Sequence, residues 1–295
     1  WRWRASGLTK PRSFSRPQWT GSPIRRGETM LLHAEQGFGD TIHFIRFTRL
    51  VAERGAKVIL ECPPELSRLM EGSAAELGIT QVVRLSQPPI PLPPFDIHCP
   101  VMSLPMGFRT DLGSIPSSSY LKADSKLVNL WSTRLGKPSG TRVGLAWAGR
   151  PSHRNDQNRS IDLNLLASHL SNIPGVTYFS LQKGAATNLP GSAMPMIDHT
   201  SELSDFADTA ALIANLDLVI TVDTAVAHLA GALGKPVWVL LPFVPDWRWM
   251  LNRDDSPWYP TMRLFRQQSI GDWTVPLESV SEQLRIFSAS SASLR

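Results

Sequence analysis

One stretch limits the chain's possible folds more than any other: Leu216 to Leu241, LDLVITVDTAVAHLAGALGKPVWVLL. Leu218 to Val222 is a short apolar β-branched run, the mark of a strand buried on both faces of a parallel sheet. Asp223 and Thr224 follow at once, and both are residue types that cap a helix. Ala225 to Leu233 has the alanine-rich character of a helix, Gly234 suits its end, and Pro236 blocks continuation. Val237 to Leu241 is the next buried strand. In an open α/β sheet, ligands bind at the carboxyl ends of strands, where helix N-termini present N–H groups. Thr224 and His228 are four apart and share a helix face. The pattern suits a phosphate-bearing ligand, although any βαβ unit needs a capped helix and Asp-Thr is an ordinary cap.

The same alternation runs through the rest of the 295 residues. Met30 to Ala34 reads as a strand, Gly37-Phe38-Gly39-Asp40 as a glycine-rich turn, Thr41 to Arg54 as an amphipathic helix, and Val58 to Glu61 as a parallel strand. A helix over Pro64–Glu76 and strands over Gln81–Leu85 and Phe95–His98 follow. Eight prolines from Pro88 to Pro116 predict a rigid, irregular surface loop. After a helix-sized stretch, Ser125–Leu135, come Gly136-Lys137-Pro138-Ser139-Gly140, read as the end of an interdomain linker. Strands at Arg142–Ala148, Val176–Leu181 and Met262–Phe265 and helices at Leu163–Leu170, Phe206–Ala214 and Leu277–Phe287 complete the second half. Two runs of alternating β and α imply two Rossmann-like domains with parallel sheets facing one cleft. The expected limits are a basic connecting segment at 1–27, domains at 28–123 and 141–287, a linker at 124–140, and a frayed Ser/Ala-rich tail from 288.

Composition excludes several classes. Hydrophobic content of 42% and charged content of 19% describe a globular protein, and no apolar run reaches the roughly 18 residues that span a bilayer. Cys62 and Cys99 lack metal-ligand spacing and read as free thiols in a reducing, cytoplasmic compartment. Residues 1–26 hold seven Lys or Arg and no acid, so the body of the chain is near neutral and nucleic acid is not an expected partner. The basic start superficially resembles a transit peptide, and it suits an anionic membrane surface. Its three tryptophans and three prolines argue instead for a connecting segment that packs on something. The chain also lacks an initiator Met, as a fragment or a processed form would.

Chemistry-bearing residues gather at the expected strand ends. Glu35, Gln36, Gly39 and Asp40 follow the first strand. Trp147 to Arg159, WAGRPSHRNDQNR, contains Gly149, His153 and three arginines, and Lys183 follows the next strand. Asp223, Thr224, Ala225 and His228 come after it, then Asp246-Trp247-Arg248-Trp249, whose two tryptophans suit stacking on a ring or an interdomain wedge. Basic groups beside helix N-termini suit a diphosphate-like anion. No HExxH, CxxC, P-loop lysine motif or GxSxG is present, and Asp254-Asp255 is adjacent rather than spaced for a metal. A metal-independent mechanism is expected, with protein cations and helix dipoles stabilising the leaving diphosphate. A nicotinamide enzyme is disfavoured, because the third glycine of the dinucleotide motif is replaced by Ile42 and no ribose-binding acid sits clearly at the second strand's end.

Taken together, WRW at the start, LLHAEQGFGDTIHFIRF, WAGRPSHRNDQNRSI, SLQKG, DTAVAHLAGALGKPVWVLLP and PDWRWMLNRDDSPWYPTMRLFRQ resemble a bacterial glycosyltransferase domain. It is the domain that follows tetratricopeptide repeats, related to the ADP-heptose:LPS heptosyltransferases. The resemblance covers Trp1 to Gln267. It implies a GT-B fold with an acceptor-side domain first and a nucleotide-sugar domain second, an upstream repeat array, and no cofactor beyond the sugar donor. It implies Asp40 as general base, and Arg159 (where heptosyltransferases usually carry Lys), Asp223, Thr224 and His228 as donor contacts. Lys183 matches only the general position of a site-lining loop. The implied reaction is inverting transfer of a hexosyl or heptosyl group to a glycan, a lipid-linked sugar or a protein. A non-catalytic GT-B sugar- or protein-binding module and a GT-B nucleotide-sugar epimerase remain as alternatives.

Overall fold

The computed structural model describes residues 12–88, 90–137, 139–153, 155–184 and 194–293. The chain divides into two compact units, Trp1–Pro116 and Ser117–Arg295. Each contains one wholly parallel sheet among the described residues.

The first unit comprises β1 (Thr29–His33), α1 (Phe38–Phe44), α2 (Thr48–Glu53), β2 (Lys57–Cys62), α3 (Pro64–Gly72), α4 (Ala74–Leu77), β3 (Gln81–Arg84), β4 (Ile97–Pro100) and α5 (Leu104–Gly107). Its strand order is β3-β2-β1-β4. The single helix expected over Thr41–Arg54 starts earlier and is split by a 3₁₀ turn at Ile45–Phe47. Arg46 explains the break: its buried guanidinium donates through Nε to the His43 carbonyl at 2.8 Å, competing with regular helix bonding. The helix expected over Pro64–Glu76 is likewise broken at the buried Ser73. β4 lies two residues later than expected. The proline-rich span is also less irregular than its composition suggests. Pro105 stands in the first turn of α5, where a missing N–H costs nothing.

Residues 12–27, expected as a connecting segment, are held against the sheet; Trp1 to Pro11, including WRW, lie outside the described residues. Trp19 donates its backbone N–H to the His98 carbonyl at 2.8 Å, and His98 donates back to Pro17 at 3.1 Å. This short parallel bridge covers the free edge of β4, which would otherwise invite pairing with another chain. The Trp19 ring is 2% exposed. It rests on Gly107, where any Cβ would run into its six-membered ring.

The second unit comprises α6 (Ser125–Leu135), β5 (Thr141–Ala146), α7 (Asp156–Arg159), α8 (Leu163–Leu170), β6 (Val176–Ser180), β7 (Met196–Ile197), α9 (Phe206–Ala214), β8 (Leu218–Val222), α10 (Ala225–Ala232), β9 (Val237–Leu241), β10 (Met262–Arg266) and α11 (Thr274–Ser293). Its strand order is β10-β9-β8-β5-β6-β7. The stretch expected as linker carries α6, capped by Asp124, which accepts from the Lys126 and Leu127 N–H groups. It packs on α9, where Asn215 donates to the Val128 carbonyl at 3.0 Å. The tail expected to fray from 288 continues α11 to Ser293, since Ala and Ser interrupt a helix far less than Gly or Pro. Val143, Leu145, Leu166, Leu170, Ile220, Leu240 and Leu284 pack in the core under this sheet. Cys62 and Cys99 are buried and form no disulfide, and burial pushes the Cys62 thiol up to about 12.

Trp19→Ala should lower stability by about 3–5 kcal/mol, the usual cost of deleting a buried large aromatic, and speed proteolysis within 12–27. An unchanged melting temperature would show that this segment adds nothing to the first unit.

Candidate functional site

In the second sheet the chain moves outward from β5 to β6 and β7, then returns to build β8, β9 and β10 on the other side. The neighbours β5 and β8 therefore form the topological switch point, where ligands enter open α/β sheets at the carboxyl ends. β8 is fully buried and delivers Asp223 and Thr224 to that edge, with α10 beginning at Ala225. Thr224 is the N-cap residue, but no side chain caps the helix. The expected hydroxyl cap is absent because Thr224 Oγ1 pairs with Thr221 Oγ1 at 3.1 Å. An N-terminus left uncapped at a switch point is suited to an anion.

From β5 comes the cationic partner. Arg159, at the end of α7, donates through Nη1 to the Asp223 carbonyl at 2.9 Å and through Nε to Asp156 Oδ1 at 3.2 Å. Both side chains are mostly buried, at 14% and 15% exposure. Gly149 makes this possible: a Cβ there would collide with the Arg159 guanidinium and the Asp156 carboxylate. Its N–H donates to Ser160 Oγ at 3.0 Å. At the next strand end, Gln182 Oε1 accepts from the Trp147 and Ala148 N–H groups at 3.1 and 2.9 Å and fixes where this loop leaves the sheet.

The loop after β9 closes the arrangement from the other side. Asp246 caps a 3₁₀ turn, Trp247–Trp249, and accepts from the Arg248 N–H and Nη1 at 3.0 and 2.8 Å. Trp247 is 59% exposed while Trp249 is fully buried. Trp249 stacks on His228, with ring centroids 5.4 Å apart and planes 15° from parallel. His228 Nδ1 is 3.0 Å from the Tyr259 hydroxyl. Burial pushes the Asp223 carboxyl up to about 6; Asp246 adds to this, and Arg248 and Arg159 pull it back.

The structure thus brings Gly149, Arg159, Asp223, Thr224, Ala225, His228, Asp246 and Arg248 to one edge. Other expected site residues are placed differently. Trp147 is 3% exposed and belongs to the core. Lys183 is committed through Nζ to the Leu203 carbonyl. His153 lies in an exposed turn, accepting the Asn155 N–H at its Nδ1, and Arg154 lies outside the described residues. In the first unit, Asp40 is the third residue of α1. Its Oδ2 accepts the Gly37 N–H at 3.1 Å, which fixes the turn containing Gly39. Gln36 is exposed with a left-handed φ of 61°. Sequence reasoning missed Asp156, Ser160, Gln182 and Tyr259 as organisers of the second unit's edge. Among the described residues, no cluster of His, Cys, Asp or Glu could hold a metal ion, and no helix is long and apolar enough to cross a membrane.

Comparison with known proteins bears on the fold. Residues 203–240, spanning α9 to β9, match the model of glycosyltransferase family 9 (heptosyltransferase). The chain is 27% identical over 92% of its length to protein FlbA of Caulobacter vibrioides and spans about half of that relative (49%). A glycosyl transferase family 9 structure from Veillonella parvula superposes with a TM-score of 0.61 at 12% identity, covering 92% of this chain and 98% of that one. The ADP-heptose LPS heptosyltransferase II of E. coli gives 0.60 at 13% identity, covering 90% and 99%. The α/β GT-B class expected from the sequence is the fold shared with these structures.

A carboxyl whose folded pKa lies near 6 instead of 3.8 binds more protons in the native state than in the unfolded one between those values. Its contribution to stability therefore falls as pH rises through that window. Asp223→Asn should raise stability at pH 7.5 by on the order of 3 kcal/mol and leave it unchanged near pH 3.5. Equal melting shifts at both pH values would contradict a strained carboxylate.

Proposed function

We propose that this chain is a metal-independent, inverting glycosyltransferase of the family 9 type, moving a sugar from a nucleoside-diphosphate donor to an acceptor hydroxyl. The observation that carries the reading is the uncapped N-terminus of α10 at the switch point, with a buried arginine on the carbonyl just before it. The donor's diphosphate binds there. The Thr224 and Ala225 N–H groups, the α10 dipole, Arg159 and His228 stabilise the charge that develops as it departs. These groups do the work a divalent cation does elsewhere, and no cofactor beyond the substrates is required.

Asp40, on the first unit, acts as general base. It takes the proton of the acceptor hydroxyl as that oxygen attacks the anomeric carbon from the face opposite the diphosphate. The new glycosidic C–O bond forms while the anomeric carbon–phosphate oxygen bond breaks, and the nucleoside diphosphate leaves with the bonding pair. The Gly37 N–H bond to Oδ2 holds the carboxylate in one orientation. The E. coli neighbour is an ADP-heptose LPS heptosyltransferase, which makes ADP-heptose the first donor to test. The acceptor is a hydroxyl of a glycan, a lipid-linked sugar or a protein, and the work is done in the cytoplasm, at or near the inner membrane face.

A thermal-shift panel with UDP, ADP, GDP, CMP and NAD, each with and without Mg²⁺, tests the donor side. One nucleoside diphosphate should stabilise the protein without metal, by about 2.7 kcal/mol at a hundred times its dissociation constant, and the shift should shrink in His228→Ala. A flat panel on folded protein contradicts the reading. Asp40→Asn should keep donor binding and lose at least about a hundredfold in turnover; full turnover would remove Asp40 as base.

A further inference from the structure

His228 lies one turn into α10, and groups from other elements hold its ring. Trp249 covers one face, stacked at 5.4 Å. Tyr259, from the segment before β10, places its hydroxyl 3.0 Å from Nδ1. The Tyr259 ring is 1% exposed and lies directly on Gly231 of α10, where any Cβ would collide with it. A glycine inside a helix costs roughly 1 kcal/mol relative to alanine, and here it makes room for one tyrosine. Behind Tyr259 stands Tyr120, its hydroxyl 3.4 Å from the Tyr259 hydroxyl. Tyr120 is tied to the same helix, since its N–H and that of Leu121 donate to the Ala232 carbonyl at 3.0 and 3.2 Å. Three aromatic residues from separate parts of the second unit thus converge on one histidine.

The order of donors along this line has a chemical consequence. Tyr120 can donate to the Tyr259 oxygen, and Tyr259 to His228 Nδ1. A neutral imidazole that accepts at Nδ1 carries its proton on Nε2. A phosphate oxygen is an acceptor, so a histidine meant for a diphosphate must present an N–H. We propose that Tyr259, with Tyr120 behind it, is a positioning residue that holds His228 as an Nε2–H donor for the diphosphate. This rests on the donor-binding role of His228 given above. Hydrogen-bond partners on the far ring nitrogen fix the tautomer of metal-bound histidines in the same way. A buried tyrosine also needs a partner for its hydroxyl, so the contact serves both residues.

A double-mutant cycle with Tyr259→Phe and His228→Ala separates this from plain packing. Phenylalanine keeps the ring on Gly231 and removes only the hydroxyl. Nucleoside-diphosphate affinity should fall about threefold to tenfold in the native background, the usual size of one lost hydrogen bond, and not fall further in His228→Ala. The nitrogen NMR resonance of His228 Nδ1 should move toward that of an acceptor with no hydrogen bond. Equal losses in both backgrounds, or an unmoved Nδ1 resonance in folded Tyr259→Phe, would overturn the proposal. If Tyr259→Phe does not fold, Tyr120→Phe should move the resonance in the same direction by less, and no movement there would overturn it. Should the native protein bind none of the nucleoside diphosphates, the donor reading fails, and the Nδ1 resonance alone decides the positioning role.

Discussion

The hydrogen bond from Arg159 to the Asp223 carbonyl is the constraint on which the switch-point edge of the second unit depends. It joins the loop after β5 to the end of β8 across the switch point. Such a bond to a charged donor contributes more than a neutral one, on the order of 1.5–3 kcal/mol. It also places a cation beside a helix N-terminus, an arrangement that destabilises the empty protein and favours a bound anion. Asp156 makes it tolerable by holding the guanidinium from behind, and Gly149 makes it sterically possible. One missing side chain thus determines where a buried positive charge can lie.

The opposite side of the edge is built from aromatic packing. Trp249, Tyr259 and Trp258 interlock around His228 and Arg248, with the Trp258 indole donating to the Arg248 carbonyl at 3.0 Å. The turn that buries Trp249 leaves Trp247 exposed and places Asp246 and Arg248 within electrostatic reach of Asp223. Burial keeps that carboxylate in an unfavourable state at neutral pH, as is common where a fold gives up stability for a binding site.

Much of the fold was legible because its signals are local. β8 and β9 fall where short β-branched runs predict them, and α8 and α9 match their apolar periodicity. The strand-turn-helix at Asp223 and Thr224 also falls where the sequence places it, at the switch-point edge of the sheet. What the chain conceals is long-range. Nothing near residue 259 says that its hydroxyl meets a histidine 31 positions earlier. The Gly-Lys-Pro-Ser-Gly stretch looks like a linker because turn residues read alike inside and between domains, yet the helix before it is part of the second unit. β7, two residues long, is too short for any periodicity. Lys183, the basic residue at the next strand end, donates through Nζ to the Leu203 carbonyl, a partner 20 positions away that its local sequence does not announce.

Whether α10 receives the diphosphate is decided by a crystal structure with the nucleoside diphosphate that the protein binds. Phosphate oxygens should lie within about 3 Å of the Thr224 or Ala225 N–H, with Arg159 still on the Asp223 carbonyl and the His228 ring turned to the anion. A diphosphate bound away from the start of α10, with that turn unchanged and solvated, would contradict this reading of the edge.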